Sequence, residues 1–534
     1  MRIGIDLDNT LICYDHVFHS CAISLGLIVG GWSGNKEQLR DYVRKLPRGE
    51  YKWQQLQGYV YAEAIVNAEL FSGAFRFLWR AKHRGHKLFI VSHKTKFPHH
   101  DPSKKLRVPA INWLKEKGIY DEHHDSLIEK VYFLSTQKEK INKINELNLD
   151  VIIDDLKEVV EHPLLKNNIN SFHFGSKEFS SWIGIENYLL KGIDQDDCFK
   201  LINQLSLGKA ISCHPYSNGG NSSVWKVGVE NASPLAIKFY YNDLNHSDRR
   251  VNEARAIKAM RHNGIDNIPN MVLTDEKIEV SVFYHIDAGV VDVLNEGKLR
   301  KVASFIERLN DLKKEFGTDF PLASAACLNG VDIVKQIDNR LLNLQNSCLD
   351  NHDLGGFILD RFIPLFKELE SWAKCNWPSR LNFNTPLEIT KQTLTPSDLG
   401  VHNLLEAGNG DIFFIDFEYF GFDDPVKTTS DFLWHPKNKI DSSMGKYWVL
   451  LMTNIFARED HTFSTRLRIS WPLYGLCWCL ILLNEFSINN WQKKIQFKGC
   501  SRKEYGEVKY VQLQKANKLL DFIKLNYQDF PYHS

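Results

Sequence analysis

The chain has 534 residues, 43% of them hydrophobic and 25% charged, with a formal net charge of +1. At roughly 100–200 residues per domain this is the size and composition of a globular protein of about two to four domains. The balanced charge excludes the basic footprint of a nucleic-acid binder.

The 10 cysteines are scattered with no CxxC pair, and the 20 histidines show no metal-ligand spacing. A reduced, cytoplasmic protein without a disulfide framework is therefore expected. The N-terminus runs directly into a strand pattern, so no signal peptide is expected. The most apolar stretch, Trp471 to Leu483, falls short of the about 20 residues that a membrane span needs. It reads as a buried core helix, as do the tryptophans around it (Trp434, Trp448, Trp471, Trp478 and Trp491), and no membrane partner is expected.

In chain order, the β-branched runs "RIGIDL", "HKLFIVSH", "VYFL" and "DVIIDDL" alternate with the helical patterns "GAFRFLWRAKHRG" and "KEKINKINELN". Strands separated by helices predict a parallel α/β sheet. Residues 13–71 have helical character and read as an insertion above that sheet. A boundary is expected within residues 191–204. From about residue 205 the pattern becomes antiparallel strands, with Asn-Gly-Gly and Glu-Asn-Ala-Ser as turn signals. The helix "DRRVNEARAIKAMRHNG" follows, closed by Gly264, and after about residue 290 the chain is mostly helical.

The first strand ends in "DLDNT". Residues i and i+2 of an extended segment point the same way, so Asp6 and Asp8 converge beyond the carboxyl end of the strand, where open α/β sheets bind ligands. One carboxylate can attack phosphorus while the other shuttles a proton. These residues resemble the haloacid dehalogenase superfamily of phosphatases, over residues 1–195. The resemblance implies a Rossmann-like parallel sheet with a small helical cap at about residues 13–71. It makes Asp6 the nucleophile, Asp8 the general acid/base and Ser92 the residue holding a phosphoryl oxygen. Asp154 and Asp155 become the acidic motif which, with Asp6 and Asp8, holds Mg²⁺. The motif lysine is assigned to Lys140, with Lys138 and Lys94 as alternatives.

In the second half, "SNGGNSSVWKV" is a Gly-containing turn whose backbone N–H groups can approach phosphates, which marks Gly219 and Gly220. Lys238 in the apolar strand "LAIKFY" needs a partner if buried, and Glu253 lies on the following helix. In "LTPSDLGVHNLLEAGNGDIFFIDFEYFG", Asp398 and Asn403 share a loop, and Asp416 follows a strand with Glu418 on the same side. Such a set suits phosphoryl transfer from ATP.

The resemblance here is to the aminoglycoside phosphotransferase and choline kinase group, over residues 205–534. It implies a bilobal, protein-kinase-like α+β domain with lobes at about 205–288 and 289–534. Asp398 would be the catalytic base, Asn403 and Asp416 the Mg²⁺ ligands, and Lys238, paired with Glu253, the phosphate-binding lysine. "HIDAG", residues 285–289, falls at the hinge beside the adenine, and Asp431 matches a further acidic position. The chain departs from the group at the usual His-x-Asp, where Pro396 and Ser397 precede Asp398.

Together the resemblances imply a bifunctional enzyme that uses Mg²⁺ and ATP on small phosphoester and hydroxyl substrates. A sugar or amino-alcohol intermediate of surface polysaccharide assembly is the favoured substrate class. The alternative is that one half is a ligand-binding regulator of the other.

Overall fold

The structure is a computed structural model that describes residues 1–98, 103–218, 222–241, 248–316, 320–379, 381–487 and 502–532. Gly219 and Gly220, proposed above for phosphate binding, and Trp491 lie outside the described residues. The chain divides into two compact units. One is Met1–Trp225 with Phe239–His246 and Asp275–Val280, and the other is Lys226–Lys238 with Ser247–Thr274 and Ser281–Ser534.

The first unit opens with β1 (Arg2–Ile5), a short two-stranded pair of β2 (Ile12–Cys13) and β3 (Glu69–Leu70), then β4 (Lys87–His93), β5 (Lys130–Leu134), β6 (Val151–Asp154) and β7 (Asn170–His173). Five of these form a parallel sheet of order β5-β4-β1-β6-β7, with Ile5 beside Ile90 on one flank and Ile153 on the other. The central strands are apolar on both faces (Ile3, Ile5, Ile90, Val151 and Ile153 are fully buried), as expected for a parallel sheet covered by helices.

The antiparallel β2–β3 pair is the root of the insertion. Between them lie α1 (Asp15–Ser24), α2 (Lys36–Arg44) and α3 (Gly49–Ala62). Asn35 caps α2 with a reciprocal bond to Gln38, which fixes the helix start at Lys36. The sheet is flanked by α4 (Ala74–His83), α5 (Arg107–Glu116), α6 (Gln137–Glu146), the single turn α7 (Lys157–Val160), α8 (Trp182–Leu190) and α9 (Gln195–Gln204). The stretch expected to hold a boundary thus folds as α9. Its Asp197 is fully buried on Arg80 at 2.8 Å, while Arg80 and Arg76 share Glu186 at 3.1 and 3.0 Å. Fully buried guanidiniums need such partners, because an unpaired buried charge is strongly destabilising.

A second five-stranded sheet has the order β11-β12-β10-β9-β8. Its strands are β8 (Ala210–Asn218), β9 (Ser222–Val229), β10 (Leu235–Tyr240), β11 (Asn270–Asp275) and β12 (Val280–Tyr284). The β9–β10 turn passes through Asn231 with φ +54°, a conformation that Asn tolerates well. Then α10 (Arg249–His262) starts on the Asp248 side chain and ends before Gly264, whose φ is +74°.

The second unit continues with β13 (Gly289–Val290), α11 (Glu296–Phe316), α12 (Gly330–Asp350), α13 (His352–Gly356), a wider turn at Phe357–Phe362 and α14 (Ile363–Asn376). Short strands β14 (Thr393–Thr395), β15 (Leu404–Glu406), β16 (Ile412–Phe414) and β17 (Gly421–Asp423) carry the loops of interest. The remaining helices are α15 (Pro425–Trp434), α16 (Ser442–Phe456), α17 (Phe463–Leu482) and α18 (Arg502–Asn526). Helix α17, with the turn after it, is long and apolar enough to cross a membrane, yet 72% of that window is buried among the other helices. Trp434 and Trp471 stack at 4.4 Å, and Trp448 stacks on Phe432 at 4.0 Å. These tryptophans fill core.

Candidate active sites

In the first unit the chain leaves β1 extended through Asp6 and Asp8, then turns at Asn9 with φ +61°. The amides of Leu11 and Ile12 close the turn on Leu7 O. The Asp6 amide donates to Ile153 O at 2.9 Å, which locks the loop to β6. Three carboxylates, Asp6, Asp154 and Asp155, place one oxygen each within 4.8 Å of one another. Lys140 Nζ on α6 lies 2.6 Å from Asp6 Oδ1 and 2.5 Å from Asp154 Oδ2.

Burial disfavours the Lys140 ammonium, but Asp6 and Asp154 outweigh it and hold its pKa above the ordinary value. Burial first, and then the Asp6 charge, push Asp154 and Asp155 up to about 7. Hard divalent cations take carboxylate oxygens, so this donor set fits Mg²⁺. Thr10 steadies it, its hydroxyl accepting from the Asp155 amide at 3.1 Å.

Of the three lysines weighed for the motif, Lys140 is the one on Asp6. Lys94 instead reaches Asp8, at 2.9 Å to Oδ1 and 2.6 Å to Oδ2. The Tyr14 hydroxyl donates to the same carboxylate at 2.7 Å. The Asp8 side chain is thus turned to Lys94 and Tyr14, apart from the three clustered carboxylates. Ser92 is the last residue but one of β4, and its buried hydroxyl has no hydrogen-bond partner among the described residues, which suits an oxygen acceptor brought by a ligand.

The insertion supplies a further lysine. Lys36, the first residue of α2, donates to Asn9 Oδ1 at 2.6 Å and to the Tyr61 hydroxyl at 3.4 Å, with the Phe18 ring centre 4.6 Å away. Burial pulls its pKa down, opposed by Asp8 and Asp155. The sequence reading had no signal for Lys36, Tyr14 or Tyr61.

In the second unit, Lys238 of β10 bonds Glu253 Oε2 of α10 at 2.8 Å and Asp416 Oδ1 at 2.6 Å, with Glu418 Oε2 at 3.5 Å. Glu253 Oε1 accepts from the Phe417 amide at 3.1 Å, and Asn252 donates to the carbonyls of Glu418 and Phe420. Helix α10 therefore clamps the Asp416 loop. Asp416 has φ +69° and Ser397 φ +68°, an uncommon region for residues with a Cβ and one that recurs at functional sites.

Asn403 Nδ2 donates to Asp398 O at 2.9 Å, which leaves Oδ1 as the side-chain atom for a cation. With the half-buried Asp416 carboxylate this is an oxygen donor set that fits Mg²⁺.

Asp398 has two imidazole neighbours, His402 Nε2 at 3.2 Å and His435 Nε2 at 4.0 Å, their rings stacked. Burial works to raise Asp398, but the His402 hydrogen bond and the charges of His402, His435 and Lys437 hold it below the ordinary range. Burial pushes His435 down to about 4.

Neither histidine entered the sequence reading, and the pair stands beside Asp398, which Pro396 and Ser397 precede in place of the expected His-x. Residues 285–287 join β12 to β13 and line a cavity of about 410 Å³ with Arg261 and Asn409. Asp431 is engaged by Lys427 at 2.6 Å and Trp478 Nε1 at 2.9 Å, so it belongs to the helix packing.

No family model matches the chain, and no curated protein matches it in sequence. Among solved structures, the chain is similar to a choline kinase from Cryptosporidium parvum. That match has 12% identity and a TM-score of 0.42 and covers 64% of this chain and 100% of the other. A choline kinase from Streptococcus pneumoniae matches at 14% identity with a TM-score of 0.39, over 60% of this chain and 98% of its own. A spectinomycin phosphotransferase, seen with ADP and spectinomycin, matches at 12% identity with a TM-score of 0.39, over 59% and 98%.

Proposed function

We propose that the chain is an enzyme with two phosphoryl sites, a Mg²⁺-dependent phosphatase in the first unit and an ATP-dependent small-molecule kinase in the second. One feature supports both. Each site is organised on a single buried lysine that bridges carboxylates from separate segments, Lys140 on Asp6 and Asp154, and Lys238 on Glu253 and Asp416.

In the first site Asp6 attacks the phosphorus of a small phosphomonoester. A phosphoaspartate forms as the ester P–O bond breaks, and Asp8 protonates the departing alcohol oxygen. Asp8 then takes a proton from water, which attacks the phosphoaspartate, releases phosphate and restores Asp6. Lys140 orients Asp6 through its ion pair, and Ser92 donates to a phosphoryl oxygen. Mg²⁺ held by Asp6, Asp154 and Asp155 would neutralise the phosphoryl charge.

In the second site Lys238 fixes the nucleotide phosphates, with Glu253 holding its ammonium in place. Asp398, hydrogen-bonded to His402, accepts the hydroxyl proton of the acceptor as the γ-phosphoryl group passes to that oxygen and ADP leaves. Asn403 and Asp416 would hold Mg²⁺ on the phosphates.

The test assays both reactions with Mg²⁺ in wild type, Asp6→Asn and Asp416→Asn. The first is release of phosphate from para-nitrophenyl phosphate, the second ATP-dependent phosphorylation across amino-alcohol, sugar and aminoglycoside acceptors. Each variant is expected to lose one activity and keep the other. A wild type inactive in both assays sinks the reading.

A further inference from the structure

We infer that the first site is built for a phosphomonoester whose leaving group carries a second anionic group, a carboxylate or another phosphate, read by Lys36 and Lys94. This rests on the phosphatase reading above. The chemical step needs one lysine, and Lys140 fills that place on Asp6 and Asp154. Two more lysines touch the loop that follows Asp6. Lys94 pairs with Asp8, the residue that serves the leaving group, and Lys36 bonds its neighbour Asn9.

Both lie against one ring, with Lys36 Nζ 5.9 Å and Lys94 Nζ 5.1 Å from the centre of Tyr61. A single Asp8 carboxylate accounts for one of these charges, and the general-acid step needs that carboxyl protonated. Among the described residues Lys36 has no carboxylate at bonding distance; its hydrogen bonds go to an amide oxygen and a phenol. It is held largely among Tyr14, Phe18 and Tyr61, a costly place for an ammonium whose neighbouring carboxylates, Asp8 and Asp155, act on it without a direct bond. The start of α2, set by the Asn35–Gln38 capping box, keeps it there. An anion on the leaving group would meet both lysines on the side where the alcohol departs.

The experiment compares matched substrates in Mg²⁺: glycerol 3-phosphate with 3-phosphoglycerate, which adds a carboxylate, and glucose 6-phosphate with glucose 1,6-bisphosphate, which adds a phosphate. Wild type, Asp6→Asn, Lys36→Gln and Lys36→Arg are assayed, with circular-dichroism melting to show that each folds. Wild type should favour the member with the added anionic group in at least one pair about tenfold in kcat/KM, as one charge-assisted contact allows. Which pair responds tells carboxylate from phosphate.

In Lys36→Gln that ratio should collapse to within about threefold, chiefly through KM, and Lys36→Arg should restore much of it. Wild-type ratios near one in both pairs overturn the inference, as does a preference that survives Lys36→Gln. Should Lys36→Gln not fold, the wild-type ratios decide alone. If wild type turns over none of the four and equals Asp6→Asn, the phosphatase reading itself has failed.

Discussion

The two lysine-centred sites differ in what holds them. In the first unit Asp6, Ser92 and Asp154 sit at the carboxyl ends of three adjacent parallel strands, and one helix residue, Lys140, joins two of them. In the second unit the groups come from a strand, a helix and two loops, with left-handed backbone at Ser397 and Asp416. The first arrangement follows from the sheet itself. The second depends on added hydrogen bonds, such as Phe417 N to Glu253 and Asn403 to Asp398 O. The carboxyl end of a parallel sheet is a ready-made scaffold, whereas a loop site must be tied down bond by bond.

The comparison breaks most sharply at Asp6. Asp6→Asn removes the proposed nucleophile while preserving its shape, so on the reading above phosphate release should fall by at least about a thousandfold and kinase turnover should be unchanged. Equal phosphatase activity in wild type and variant would reassign the nucleophile.

The next largest effect is expected at Lys238. Lys238→Met removes the charge proposed to position the phosphates and leaves Glu253 buried beside Glu418, so kinase kcat/KM should fall by about 10²–10³-fold. Some loss of stability should accompany it, because removing one partner of a buried ion pair costs about 3–5 kcal/mol. Thermal melting read beside the kinetics separates the two, since a folded but inactive variant is the outcome expected at 25 °C.

What could be read in the sequence divides along the same line. The strands of the parallel sheet announce themselves as β-branched runs ending in acidic or hydroxyl residues, so Asp6, Asp8, Ser92, Asp154 and Asp155 could be named in order. The edge strand β7, "NSFH", has one buried apolar residue and no period to detect. Strands β13 to β17 have two or three residues each, too short for any periodic signal.

Lys140 could be proposed but not separated from Lys94 and Lys138, because only the folded geometry shows which ammonium meets Asp6 and which meets Asp8. Tyr14, Lys36 and Tyr61 belong to a helical insertion whose sequence carries no chemical motif. His402 and His435 approach Asp398 from 4 and 37 positions along the chain, and the second of these separations lies beyond local pattern.

A smaller effect sharpens the electrostatic side of the first site. Asp154 and Asp155 are pushed up to about 7 when folded, whereas unfolded carboxyls titrate near about 4. Between those values the folded form keeps protons that the unfolded chain has released. Stability of metal-free protein should therefore fall as pH rises from about 4 to about 7. Mg²⁺ binds the ionised carboxylates, so its stabilisation should grow over the same window. Melting temperatures in EDTA and in Mg²⁺ at pH 5, 6, 7 and 8 test this, and Asp154→Asn should lose most of the Mg²⁺ dependence. A Mg²⁺ effect of equal size at every pH would remove these carboxylates from the metal site.

The smallest effect concerns the base of the second site. In that site Asp398 is held below the ordinary carboxylate range because the His402 hydrogen bond at 3.2 Å, with the charges of His402, His435 and Lys437, outweighs its burial. His402→Ala removes that bond and leaves burial as the larger influence, so the Asp398 carboxyl should rise. A lost hydrogen bond of about 1 kcal/mol corresponds to somewhat under one pH unit. The acid limb of the kinase kcat/KM profile should move up by that amount, while turnover at pH 8 falls only about threefold or less, since the carboxyl is ionised there in both proteins. His435→Ala should shift the limb less, its Nε2 being 4.0 Å away. If neither variant moves the limb, the titrating base is a group other than Asp398. If both move it in that order, the histidine pair stabilises the ionised base from positions the usual His-x-Asp does not use.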